Sequence, residues 1–305
     1  CRTVLTTLES ISGHEERSGH QRIVGTTHVV EKGRENWLEK KTRDENRLGV
    51  EEQPWCLIIG GGQGGIALAA RLRRLGVPYL VIEKNHRAGD SWRNRYRSLV
   101  LHDPVWYDHL PYLPFPDDWP IFTPKDKMGD WLEAYVKIME LHYWTNCECI
   151  SAEYSDQTNL WTVQVERDGK PVSLTPSQLV FATGAYGAHK MADIPEKQAF
   201  AGEVIHTSQY RLGSDYADKK CAVIGSASSA HDVAADLWES GADVTMVQRS
   251  PSIVVRSETL MKLGFEGLYS ESAVENGLDV DKADMLAASV PYRMIPEVQT
   301  PIYNQ

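Results

Sequence analysis

No run of 18 apolar residues occurs anywhere in the 305-residue chain, so no segment reads as a membrane-spanning helix. The most apolar stretch, Leu57 to Ala70, is broken by Gln63 and stops at Arg71. The first twenty residues carry Arg2, Glu9, Glu15, Glu16 and Arg17 with no apolar core between them, so they do not read as a secretory leader. Positive charge is in deficit: 32 Lys and Arg stand against 42 Asp and Glu, a formal net charge of −10. That balance counts against a general nucleic-acid binder, whose affinity needs dense Lys and Arg. Cysteine is sparse and scattered at Cys1, Cys56, Cys147, Cys149 and Cys221. The spacings offer no metal-ligand pattern, and the odd count fits a reducing, cytoplasmic setting. Low-complexity tracts and short-period repeats are absent too.

What is present is ordinary for a folded protein. Hydrophobic residues make up 42% and charged residues 24%, which excludes a disordered chain. The length leaves room for roughly two domains. Residues 1–53 are highly charged and weakly periodic, and read as a linker or the tail of an upstream domain.

At Pro54 the composition changes. Trp55 to Ile59 is a continuous apolar run, as expected of a strand covered on both faces. A glycine run follows, then a helix-like stretch from Ile66 to Leu75 that ends in arginines and Gly76. Pro78 to Ile82 reads as a second strand, completing a βαβ unit. The pattern recurs in Cys221–Ile224, a turn at Gly225–Ala230, a helix over His231–Ser240 and a strand over Val244–Val247. Between the units, residues 86–124 read as a long loop rich in Trp, Tyr and Pro, 126–141 as a helix, and 147–182 as short strands with Asp168-Gly169 as a hairpin signal. Helices are expected over Glu258–Leu263 and Asp281–Ala288. The expected fold class is α/β with two dinucleotide-binding, Rossmann-like, doubly wound domains, one over 54–200 and one over 201–305.

The first turn, Gly60-Gly61-Gly62-Gln63-Gly64-Gly65, satisfies G-x-G-x-x-G at Gly60, Gly62 and Gly65. Gly60 permits the tight turn, Gly62 lets the backbone approach a pyrophosphate, and Gly65 lets helix and strand pack closely. The helix N-terminus offers free N–H groups to the anion. Glu83 stands 23 residues after Gly60, at the end of the next strand. A carboxylate there accepts hydrogen bonds from ribose hydroxyls and repels a 2′-phosphate. The site is therefore expected to hold FAD or NAD, with Gly64 counted among its residues.

The second turn, Gly225-Ser226-Ala227-Ser228-Ser229-Ala230, keeps only the first glycine. Its distinguishing residue is Arg249, at the strand end where Glu83 stands in the first unit. A guanidinium there can fork onto a 2′-phosphate. An acid in one unit and a base in the other point to FAD plus NADPH, with Gly225, Ser226, Ser228 and Arg249 as the NADPH candidates. No metal site is expected.

Phe200-Ala201-Gly202-Glu203-Val204-Ile205-His206-Thr207-Ser208-Gln209-Tyr210 fits F-x-G-x-x-x-H-x-x-x-[FWY]. This resembles the fingerprint of the flavin-containing monooxygenases and their Baeyer–Villiger relatives, carried here by Phe200, Gly202, His206 and Tyr210. Phe181-Ala182-Thr183-Gly184 is similar to the family's ATG-type strand end over FAD, and Gly89-Asp90-Ser91-Trp92 to its G-x-x-W flavin-contacting segment. The resemblance covers residues 54 to about 255. It implies that Trp92, Thr183 and Gly184 join the FAD site. It also implies that NADPH reduces the flavin, that a C4a-(hydro)peroxyflavin forms with O2, and that a small organic substrate is oxygenated.

The resemblance has departures. N- and S-oxidising members often carry Asn in the loop after G-x-x-W. His102 stands at the matching place here, as a catalytic candidate toward flavin or peroxide or as a plain structural histidine. His206 reads as a hinge or packing residue. Tyr210 followed by Arg211, in place of a closing Trp, leans toward N- or S-oxygenation over ketone oxygenation. Trp106, Tyr107, Tyr112, Phe115 and Trp119 line a substrate path or form a packed loop. A disulfide reductase would share both nucleotide units but needs a redox cysteine pair, and Cys147-Glu148-Cys149 has neither usual spacing. Cys1 at the start, and no second ATG-like segment after residue 255, give the expectation of a fragment with a C-terminally incomplete FAD domain. As such a piece it either oxygenates its substrate or binds cofactors without turnover. Substrate identity and oligomeric state are not legible.

Overall fold

The computed structural model describes residues 53–105, 108–116, 118–184 and 189–290. The expected N-terminal linker, apart from Gln53, lies outside them, as do Trp106 and Tyr107. The described chain falls into two compact units, Gln53–Ser252 and the residues from Ile253 onward.

The larger unit begins with β1 (Cys56–Ile59), α1 (Gln63–Arg74) and β2 (Tyr79–Ile82). A single turn of helix, α2 (Asp90–Arg93), interrupts the stretch expected to be loop, and α3 (Lys125–Ile138) follows. Next come β3 (Tyr143–Trp144), β4 (Cys147–Ser155), β5 (Leu160–Arg167), β6 (Lys170–Leu174) and β7 (Gln178–Phe181). The unit closes with β8 (Lys220–Ile224), α4 (Ser228–Glu239) and β9 (Asp243–Val247).

Strands β3, β2, β1 and β7 form a parallel sheet in that order, with Cys56 opposite both Tyr79 and Gln178. All four residues of β1 and of β2 are buried, which is why they read as unbroken apolar runs. Their alternate side chains enter two different cores. Cys56, Ile58, Tyr79 and Val81 pack with Ile66, Ala69 and Ala70 of α1 and with Met128, Leu132 and Tyr135 of α3. Leu57, Ile59, Leu80 and Ile82 pack with Val163, Val165 and Leu174 of the antiparallel sheet β4-β5-β6. Each fully buried aliphatic side chain here contributes about 1.5–3 kcal/mol. The sheet is thus pinned from both faces, and its strand ends are fixed in space.

Asp168 and Gly169 both have positive φ, 49° and 73°, the signature of a type I′ hairpin. β7 differs from the expected run of alternating strands. It leaves the antiparallel sheet and pairs parallel with β1; its four residues, Gln178 to Phe181, are too few to show a period that distinguishes the two sheets.

The aromatic loop is a packed layer on α3. Phe115 stacks on Trp119 at 5.2 Å, and both rings meet Trp131. Tyr112 lies under the guanidinium groups of Arg71 and Arg74.

β8 and β9 pair in parallel, from Lys220 opposite Asp243 to Ile224 opposite Val247. α4 covers one face with Ala230, Val233 and Leu237. The fold is α/β, with parallel sheets and helices in the Rossmann manner around both nucleotide turns.

The second unit is helical. α5 (Ser257–Leu260) runs into a π-helical turn at Met261–Phe265, and α6 (Glu271–Glu275) and α7 (Val280–Ser289) follow. Ser270 and Asp279 cap the last two through Ala273 N and Lys282 N. Among the described residues no helix is long and apolar enough to cross a membrane.

Candidate functional site

The first nucleotide turn lies at the C-terminal ends of β1 and β2. Gly60 has φ 107°, a conformation that strongly favours glycine. A Cβ on it would also strike the Ala182 carbonyl, and one on Gly65 would strike the Gly60 carbonyl. A Cβ on Gly62 would meet only Ser91 Oγ, at 3.9 Å, and one on Gly64 would meet nothing within 4 Å. The turn is therefore closed behind and open in front. α1 starts at Gln63, three residues earlier than its apolar pattern, because Gly64 and Gly65 form its first turn.

Glu83 is 8% exposed. Its Oε2 accepts Gly61 N at 2.8 Å, and its Oε1 accepts Asn85 N at 2.9 Å and Asn85 Nδ2 at 2.6 Å. An ionised carboxylate has about four acceptor positions, so capacity for a ribose hydroxyl remains. Tyr143 on β3 donates to Gly61 O at 2.8 Å. A side chain at Gly61 would collide with its hydroxyl.

The G-x-x-W segment sits beside this turn. Trp92 Nε1 donates to Gln63 Oε1 at 3.1 Å. The segment is held from behind by Arg93, which bonds Asp90, Asp130 and Glu133 at 2.8–3.0 Å. Thr183 and Gly184 follow β7 directly. Ala182 N donates to Ile59 O at 2.7 Å, which places the strand end across the turn. Gly60, Gly62, Gly64, Gly65, Glu83, Trp92, Thr183 and Gly184 thus gather at one sheet end.

At the second turn, Gly225 N donates to Val247 O at 3.0 Å, joining the turn to β9. A Cβ on Gly225 would stand 3.3 Å from that of Ala230, so the alanine replacing the third glycine makes the first one more necessary. Ser226 O accepts Ser252 Oγ at 2.6 Å. Ser228 opens α4 and is exposed, as is Arg249 beyond β9. Arg249 has no ion-pair partner among the described residues.

The fingerprint residues separate into surface and core. Phe200 is 63% exposed, and its ring fills the space beside Gly202. His206 Nδ1 accepts Ser208 N at 3.1 Å, and its ring lies 5.0 Å from that of His189. Tyr210 is buried, and its hydroxyl bonds Asp236 of α4, whose Oδ2 also accepts Gly213 N at 3.0 Å. Burial and this carboxylate push the Tyr210 phenol up. Arg211 reaches back to Asn94 O at 2.8 Å. The end of the fingerprint therefore anchors α4 and the loop after α2.

His102 Nε2 lies 2.9 Å from Asp232 Oδ2, on α4. The same oxygen accepts Tyr96 Oη at 2.6 Å. The Asp232 bond raises the His102 pKa, with burial opposing. Burial raises Asp232, but the bonds from His102 and Tyr96 outweigh it and the carboxyl lies below its ordinary value. Gly61, Tyr96, Tyr143, Asp232 and Asp236 escaped the sequence reading. Only Gly61 had a signal, as the middle glycine of the uninterrupted run Gly60-Gly61-Gly62.

The family profile described as pyridine nucleotide-disulphide oxidoreductase matches residues 57–263. The indole-3-pyruvate monooxygenase YUCCA1 of Oryza sativa subsp. japonica is 35% identical over 206 residues, covering 67% of this chain and 50% of that protein. The chain thus spans about half the length of the curated relatives it matches. Among solved structures, the OTEMO complex with FAD and NADP is 25% identical with a TM-score of 0.56, covering 67% of this chain and 40% of that one. The bacillithiol disulfide reductase of Bacillus cereus shares the fold, at 22% identity and a TM-score of 0.60 over 70% of this chain and 66% of its own. Burial pushes the Cys147 thiol up to about 11 and raises Cys149 as well. These two thiols are therefore not poised as thiolates at neutral pH. Two nucleotide turns on parallel strand ends, the match over residues 57–263 and the monooxygenases among its relatives place this chain in the pyridine nucleotide-disulphide oxidoreductase family, among its flavin-containing monooxygenases.

Proposed function

We propose that this chain is the cofactor-binding part of an FAD- and NADPH-dependent monooxygenase that oxygenates a small organic substrate with O2. The first turn carries the reading: its backbone is open in front of Gly62, closed behind Gly60 and Gly65, and flanked by the buried Glu83. These residues fit an FAD pyrophosphate and ribose. Gly60, Gly62, Gly64 and Gly65 leave the backbone bare, and the N-terminus of α1 supplies N–H donors. Glu83 accepts a ribose hydroxyl, held rigid by Gly61 N and Asn85. Trp92, tied to Gln63, and the Thr183-Gly184 strand end bound the flavin side. Gly225, Ser226 and Ser228 receive the NADPH pyrophosphate, and Arg249 forks onto its 2′-phosphate. When bound, the flavin supplies the redox and oxygen chemistry, while the protein positions both cofactors and excludes water. His102 is the candidate for a hydrogen bond to the reacting end of the flavin. The domain division proposed is 54–200 for FAD and 201–305 for NADPH. N- or S-oxygenation is preferred because Tyr210 closes the fingerprint.

The experiment is the visible spectrum of the purified chain, followed by NADPH oxidation against a substrate panel. The panel holds a tertiary amine, a thioether, a cyclic ketone and indole-3-pyruvate, the last because a relative is named for it. A yellow protein that yields amine or thioether oxide supports the proposal. A colourless protein overturns the enzyme reading for this chain. Oxidation of the ketone or the 2-oxo acid alone overturns the N- or S-preference.

A further inference from the structure

Asp232 lies one helical turn beyond Ser228, the first residue of α4. It is the acceptor on which two side chains of the loop after α2 converge, Tyr96 at 2.6 Å and His102 at 2.9 Å. Tyr96 is buried, the Asp232 side chain is 29% exposed and that of His102 is 43% exposed. None of the nucleotide motifs includes Tyr96 or Asp232.

We infer that Asp232 is a positioning residue that docks the second nucleotide turn on the Tyr96–His102 loop, and that His102 sets the net charge of this junction and thereby the affinity for a nicotinamide nucleotide. The inference rests on the reading of the second turn as the NADPH site. A free carboxylate one turn inside α4 opposes the negative pyrophosphate that the helix start would attract. An imidazolium on its Oδ2 cancels that charge, and Tyr96 fixes the carboxylate in place.

The groups around the junction act in known directions. Asp103 favours charged His102, His231 favours ionised Asp232, and Arg95 favours ionised Tyr96 against burial. His102 is held above its ordinary value. The charged pair is therefore complete below that raised value and is lost as pH rises through it.

The test is calorimetric titration of the 305-residue chain with NADP+ from about pH 6 to about pH 9. For the wild type, Kd should weaken on the order of fivefold across the His102 titration. Asp232→Asn and His102→Gln should each flatten that dependence, and Asp232→Asn should bind more tightly than wild type at the alkaline end. Tyr96→Phe should weaken binding at every pH and keep the slope. A wild-type slope surviving in Asp232→Asn or His102→Gln overturns the inference. Proton NMR supplies a readout free of ligand: the imidazole resonance lost in His102→Gln should titrate above the ordinary histidine value in wild type and move down in Asp232→Asn. An unmoved titration overturns the pairing. If NMR shows the shift but the wild type binds no NADP+ at any pH, the NADPH reading fails and the nucleotide coupling fails with it.

Discussion

The hydroxyl of Tyr143 donates to the Gly61 carbonyl at 2.8 Å and fills the space a Gly61 side chain would need. Gly61 N is meanwhile bound by Glu83. Both polar groups of one turn residue are thus fixed from the sheet. Tyr143→Phe should leave the buried carbonyl without its donor and cost about 1–3 kcal/mol. Gly61→Ala should cost more, since a methyl cannot be placed beside the ring. The pair Gly61→Ala with Tyr143→Ala should recover part of the Gly61→Ala loss in FAD content. Urea denaturation and the flavin absorbance of wild type, Gly61→Ala, Tyr143→Ala and the double variant check this, and additive losses would sink the steric account.

Neighbouring glycines of the same turn should part company. Gly64→Ala places its methyl in open space on a helix, so it should be neutral or stabilise by about 0.5–1 kcal/mol. Gly65→Ala drives its methyl into the Gly60 carbonyl and should destabilise the chain or open the turn. The comparison is thermal melting of the apoprotein variants. If Gly64→Ala melts as before but loses flavin, Gly64 touches the cofactor directly.

Glu133 supports the G-x-x-W segment from α3. Hydrogen bonds from Lys137 and Arg87, against a smaller effect of burial, hold its carboxyl down at about 2. A depressed acid stabilises the fold above its unfolded pKa, and that stability disappears as pH falls through the folded value. Glu133→Gln should therefore cost about 1 kcal/mol at neutral pH, allowing for solvent screening of these partners. The gap to wild type should narrow as pH drops from about 5 toward about 2. A gap that stays constant with pH would mean that packing, not charge, is what Glu133 supplies.

The sequence made the elements around the nucleotide turns legible because β1 and β2 are buried on both faces and leave no polar interruption. The glycines and Glu83 were legible because their chemistry fixes both residue type and spacing. The pairing of β7 with β1 was not legible, because four residues are too few to show which sheet they join. Asp232 and Tyr96 gave no signal, since a helix acid and a loop tyrosine 136 residues apart look like ordinary surface and core residues until the fold joins them. Tyr112, Phe115 and Trp119 allowed two readings, and their contacts with Arg71, Arg74 and Trp131 fall on the packing side.

Asp108 offers a prediction of opposite sign to Glu133. Burial, with Asp103 adding to it, pushes its carboxyl up to about 7. A raised acid favours the folded state while protonated; that contribution is complete below its unfolded value near 4 and is lost as pH rises through about 7. At alkaline pH the wild type must keep a charge in a half-buried loop, whereas Asp108→Asn keeps the shape without the charge. Asp108→Asn should therefore melt higher than wild type by about 2–4 °C near pH 8, corresponding to about 1 kcal/mol. The two should melt alike near pH 4, where both side chains are neutral in the fold. Scanning calorimetry at the two pH values decides it: an equal gain at both would assign the effect to hydrogen bonding of the amide, and a loss at both would show that Asp108 makes a contact only a carboxyl can make.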